Sequence, residues 1–132
     1  MRQKHKRLLK FVALQERRAM VEAAKCAQIE SQIDDASKKI TALGGLLDAP
    51  DIASASFVGL VLDRLRVETH RRKETEDELA RQRDVAMELK RQIKRVEKLA
   101  GQVEQRIRDA DTQKEKQTIL EQAARAANVS VE

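Results

Sequence analysis

From Leu8 onward, the core-type positions of the first fifty residues recur at alternating steps of four and three. They are Leu8, Val12, Gln15, Ala19, Glu22, Cys26, Ile29, Ile33, Ala36, Ile40, Leu43 and Leu47. A mean step of 3.5 residues keeps one stripe of a helix facing a partner helix, which is the pattern of a coiled-coil seam. Gln15 and Glu22 weaken its middle, whereas Cys26 to Leu47 is nearly all apolar. The pattern predicts a first helix over about 4–43. Gly44-Gly45 supplies a left-handed stop for it, and Asp48-Ala49-Pro50-Asp51 extends the break because Pro cannot continue the preceding helix. The turn is expected over 44–56, with Asp51, Ser54 and Ser56 as candidate N-caps for the second helix.

A second seam reads Val58, Val61, Leu65, Glu68, Arg72, Thr75, Leu79, Gln82, Ala86, Leu89, Ile93, Val96, Ala100, Val103, Ile107 and Ala110. It loses register at Lys114 and Gln117 and resumes one position displaced at Leu120 and Ala124, as a stutter does. Helix 2 is predicted over about 57–127. Glu68 with Arg72, Asp77 with Arg81 and Glu104 with Arg108 each add a few tenths of a kcal/mol as i,i+4 pairs.

Two helices joined by a short break pack antiparallel, so the expected fold is all-α: one coiled-coil hairpin domain over 1–132, with helix 2 longer than helix 1. Reversal about Pro50 sets Leu43 near Val58, Ile40 near Val61, Ala36 near Leu65 and Leu8 near Ile93. It also sets Ile29 and Ile33 against Arg72 and Glu68, a poor match. In this register helix 1 runs out near residue 97. Leu99, Val103, Ile107, Ile119 and Leu120 are then expected to lack an internal partner, which an isolated helix in water does not tolerate well.

Composition supports thin helices over a thick core. Aromatics are 2% and charged residues 37%, with no Trp or Tyr and only Phe11 and Phe57. Leu, Ile, Val and Phe make up about 24% of the chain, above the level at which disorder becomes the default. One Pro and four Gly leave few turns for a sandwich, a barrel or an α/β domain. Cys26 is the sole cysteine, so no internal disulfide forms and a reducing compartment is expected. Lys10 interrupts the apolar run Leu8 to Leu14, so no signal-peptide core is read there. Phe57 to Leu62 is far shorter than the ~20 residues that cross a bilayer.

The net charge of +5 is concentrated at the start, where seven cations among residues 1–18 face only Glu16. A second basic cluster, Lys90, Arg91, Lys94, Arg95 and Lys98, falls on helix 2 near that end of the hairpin. An acidic partner surface at that end fits this distribution better than a whole-protein affinity for nucleic acid. The basic segment already holds Leu8, Leu9, Phe11 and Val12, unlike the long polar run of a bZIP basic region, and aromatics for base stacking are missing. No catalytic, cofactor or metal constellation is read. His5 and His70 lack ligand-spaced companions, and Glu74, Glu76, Asp77 and Glu78 form a solvated charge run. Gly44-Gly45 is not followed by the Lys-Ser or Lys-Thr of a phosphate loop, so no enzyme is expected.

Several stretches resemble the FliJ family, the soluble stalk protein of the flagellar type III export apparatus. Lys6-Arg7-Leu8-Leu9 with Leu14-Gln15-Glu16-Arg17 is similar to the family's basic, leucine-containing opening. Leu62-Asp63-Arg64-Leu65 resembles its helix 2 start, and Arg91-Gln92-Ile93-Lys94-Arg95-Val96-Glu97-Lys98-Leu99 its most recognisable stretch. Leu120-Glu121-Gln122-Ala123 resembles its closing motif. The chain departs from the family in its short helix 1, in lacking aromatics before the turn and in Ala86, where the family often has Trp.

The resemblance implies a non-enzymatic, cytoplasmic coupling subunit, peripherally associated with the inner-membrane export apparatus and serving flagellum biogenesis and motility. Its terminal ends would sit in the pore of a hexameric export ATPase, and its middle and loop end would meet the membrane export gate protein and export chaperones. On that reading the ATPase-end candidates are Arg7, Leu8, Val12, Arg91, Arg95, Val103, Ile107 and Leu120. The gate and chaperone candidates are Phe57, Val61 and Leu65. An injectisome stalk homologue and a self-assembling structural coiled coil, a homodimer in isolation, are the alternatives, because identical heptads serve homotypic and heterotypic packing.

Overall fold

The computed structural model describes residues 1–48 and 55–131 and is an all-α helical hairpin. Helix α1 is Arg2–Leu47 (46 residues) and α2 is Ala55–Val131 (77 residues). Contacts group into two units: one joins Met1–Glu16 to the stretch from Arg91 onward, and the other is Arg17–Lys90.

Buried and half-buried positions follow both heptad seams. Val12, Gln15, Glu22, Ile29 and Ala36 are buried on α1, and Leu8, Ala19, Cys26, Ile33, Ile40, Leu43 and Leu47 are half-buried. On α2, Val61, Glu68, Leu79, Leu89, Ile93, Ala100 and Val103 are buried, with the remaining seam positions through Ala110 half-buried.

Gly44-Gly45 does not end α1. The helix passes through both glycines to Leu47, and neither adopts a positive φ. Two helical glycines cost roughly 2 kcal/mol relative to alanine. Leu43 and Leu47, both half-buried on the seam, offset that cost by burial. Helix α2 begins at Ala55, so Ser56 lies inside it rather than capping it. The candidate caps Asp51 and Ser54, and Pro50 itself, lie outside the described residues.

Within the Arg17–Lys90 unit, Gln82 Nε2 donates to Glu22 Oε2, and Ala36 lines one cleft with Glu68 and Arg71. The partners therefore run in opposite directions, displaced from a reversal centred at Pro50 by between three positions (Glu22 with Gln82) and twelve (Glu30 with Arg83). Ala36 shares its cleft with Glu68, Arg71 and Thr75. On the α2 seam the Thr75 hydroxyl donates to the Arg71 carbonyl at 2.8 Å.

In the other unit, Arg2 Nη2 lies 2.7 Å from Asp111 Oδ2, and Arg2, His5 and Lys6 share a cleft with Ile107. Cover on α2 thus reaches Ala110, about thirteen residues beyond the expected end of helix 1. Helical side chains lean toward the amino end of their own helix. In an antiparallel pair that direction is the carboxyl end of α2, so the long basic side chains of α1 cover residues its backbone does not reach. Both members of the Arg2–Asp111 pair are more than half exposed. Asp111→Ala is therefore expected to change stability by less than about 1 kcal/mol in thermal melts.

Candidate functional site

Past Ala110, every described residue of α2 through Val129 is exposed, including Ile119 (63%) and Leu120 (68%). This is an unpartnered helical end. It begins later than the sequence pattern implies, and its apolar content is correspondingly smaller.

The sequence-derived residues divide by burial. Leu120 is bare, Arg7, Arg91 and Arg95 are exposed, and Arg91 and Arg95 are both engaged in interactions. Leu8 and Ile107 are half-buried on the seam. Val12 and Val103 require correction as partner-contacting residues: Val103 retains 3% of its surface, and both side chains are spent on the core of their unit. At the loop end Phe57 is exposed, Leu65 is half-buried and Val61 is buried, so Val61 is likewise a core residue. Ile107 is not partnerless, since Arg2, His5 and Lys6 of α1 line its cleft.

Heptad position also identifies surface residues that the sequence-derived candidates omit. Leu9, Phe11 and Leu14 on α1, and Leu60 and Leu62 on α2, all lie off the seam, and all are exposed. Off-seam placement of a large apolar residue was the signal available for each. Leu60 adds to the exposed apolar surface at Phe57, Leu62 falls on the other side of the seam, and Leu9, Phe11 and Leu14 are exposed among the amino-terminal cations.

Electrostatics inside the seam differ between two buried carboxylates. Glu22 is engaged through both oxygens, with Gln82 on one and Lys25 Nζ at 3.4 Å from the other. Glu68 is 0% exposed. Its Oε1 has Arg64 Nη2 at 3.2 Å and Arg71 Nη1 at 3.8 Å. Among the described residues neither oxygen of Glu68 accepts a hydrogen bond. The expected Glu68 and Arg72 pair is replaced by these contacts, and Arg72 reaches Glu76 at 3.7 Å; the expected Glu104 and Arg108 pair forms at 2.6 Å.

Among the described residues, no group of three or more His, Cys, Asp or Glu side chains is placed to hold a metal ion, and no helix is long and apolar enough to cross a membrane. In comparisons with known proteins, no family model, curated protein or solved structure matches the chain.

Proposed function

We propose that this chain is a non-enzymatic stalk subunit of a bacterial flagellar type III export ATPase complex, linking the hexameric ATPase to the export gate and to export chaperones. The observation that carries the reading is the uncovered end of α2, where Ile119 and Leu120 stand in water on an ordered helix. Each such side chain gains roughly 1.5 to 3 kcal/mol when a partner buries it. The FliJ-like stretches at Lys6 to Arg17, Arg91 to Leu99 and Leu120 to Ala123 add support, with the basic opening and the bare helix end both near the termini. In this role the terminal end enters the ATPase ring while the loop end, with Phe57, faces the gate. The subunit works at the cytoplasmic side of the inner membrane, and an injectisome counterpart would use the same surfaces.

The test is reconstitution with the hexameric export ATPase. The full chain is expected to raise ATP hydrolysis by the ATPase severalfold at saturation and to hydrolyse none itself. Hydrolysis by the isolated chain, or an unchanged rate with a saturating excess, would overturn the proposal. Equilibrium sedimentation decides the self-assembly alternative, since a tight homodimer would cover Ile119 and Leu120 with a second copy.

A further inference from the structure

Positions flanking a coiled-coil seam usually carry Glu or Lys, whose stems lie over the seam and whose charges pair across it. The Arg17–Lys90 unit departs from this on one side. Immediately after Glu22, Cys26 and Ile29, α1 places Ala23, Ala27 and Glu30; after Gln82, Ala86 and Leu89, α2 places Arg83, Met87 and Lys90. With Ala23 where a charged stem normally lies, Ala27 one turn along, and Ala19, Cys26 and Ala86 on the seam itself, the helices leave an open cleft of about 350 Å³. The cleft beside Glu68 is lined mostly by polar side chains, whereas this one has an apolar floor.

We propose that this cleft is a docking groove for an acidic amphipathic helix of a partner protein. Its large apolar side chains would seat over Ala23, Ala27 and Met87, and a carboxylate would meet Lys90. Helix-in-groove recognition needs a trough between two helices and anchors at i, i+3 or i+4, and i+7. The alanines let a third helix approach closely, while exposed Met87 supplies an unbranched side chain that adapts to its anchors.

Charge selects the partner. At one end of the groove Glu30 and Arg83 neutralise each other at 2.9 Å. At the other end Lys90 is exposed and, among the described residues, has no ion-pair partner. The uncompensated charge is therefore positive. A second copy of the chain offers no net acidic charge, because its bare segment past Ala110 brings Lys114, Lys116 and Arg125 against Asp111, Glu115 and Glu121. None of the groove residues is among the candidates named for the ATPase or the gate, but the groove lies in the middle stretch that the FliJ resemblance gives to the gate and chaperones, so the inference deepens that reading.

The experiment uses the immobilised full chain and a phage-displayed library of 18-residue helices with leucines at i, i+3, i+7 and i+10 and randomised flanks. Helices enriched on the wild type are expected to be acidic in their flanks and to bind Ala27→Arg and Ala23→Arg at least tenfold more weakly. Lys90→Glu is expected to enrich basic flanks instead. Each variant carries a good helix former at an exposed position, and far-ultraviolet circular dichroism checks that it folds. Absence of enrichment, flanks without an acidic bias, or undiminished binding to both groove variants would overturn the proposal. So would a concentration-dependent wild-type dimer that both variants abolish, which would assign the groove to a second copy.

Discussion

Glu68→Leu is expected to raise the melting temperature by several degrees, an effect of about 1 to 4 kcal/mol, because a buried charge with incomplete partners is replaced by an apolar side chain of similar size. Glu68 is fully buried at a core position opposite Ala36, yet neither oxygen accepts a hydrogen bond among the described residues, and its two arginines lie on its own helix. Desolvating a carboxylate costs several kcal/mol, and one close guanidinium contact at 3.2 Å recovers only part of it. Glu22→Leu is the control. Its carboxylate is engaged by Gln82 and Lys25, so its loss would leave the Gln82 amide without its acceptor, and little or no gain is expected. Differential scanning calorimetry on both variants checks the pair of outcomes. A fall in melting temperature for Glu68→Leu would mean that the arginine contacts outweigh the desolvation they accompany.

The second large effect separates folding from binding at the terminal end. Val103→Asp should destabilise by roughly 3 kcal/mol or more, since it removes a buried valine and places an unpaired charge in the core of its unit. Leu120→Asp should leave the melting curve unchanged, because Leu120 is already 68% exposed. On the stalk reading, however, it should weaken binding to the hexameric ATPase by at least tenfold. Ile107→Asp falls between the two, because its half-buried side chain lies in the cleft formed with Arg2, His5 and Lys6, whose cations offset part of the introduced charge. Thermal melts and binding isotherms on the three variants give the ordering. If Leu120→Asp binds as the wild type does, the bare end of α2 is not the ATPase contact.

Seam membership was legible residue by residue. The 3.5-residue spacing placed every core position from Leu8 to Leu47 and from Val58 to Ala110, polar members such as Gln15, Glu22 and Glu68 included. The reason is geometric: in a helix, spacing alone determines which side chains share a face, whatever the partner is. Large apolar residues off that face, such as Leu60 and Leu62, were by the same logic legible as surface. Burial of Val12, Val61 and Val103 followed from the same pattern, so their assignment as partner contacts conflicted with the seam that contained them.

Register and extent were decided only by tertiary structure. A heptad pattern is unchanged when one helix slides along the other by a whole repeat, so the apolar stripe alone does not distinguish a pairing centred at Pro50 from a displaced one. The choice depends on where the chain reverses. Local propensity at Gly44-Gly45 argued for an early stop, but burial of Leu43 and Leu47 carries α1 through the glycines. The limit of cover on α2 was equally non-local, because it depends on the reach of Arg2, His5 and Lys6 across to Ile107 and Asp111. The sequence by itself therefore determined the helices and the faces they bury. The pairing of those faces, and the length of α2 left bare, were settled by side-chain contacts between residues 53 to 109 positions apart.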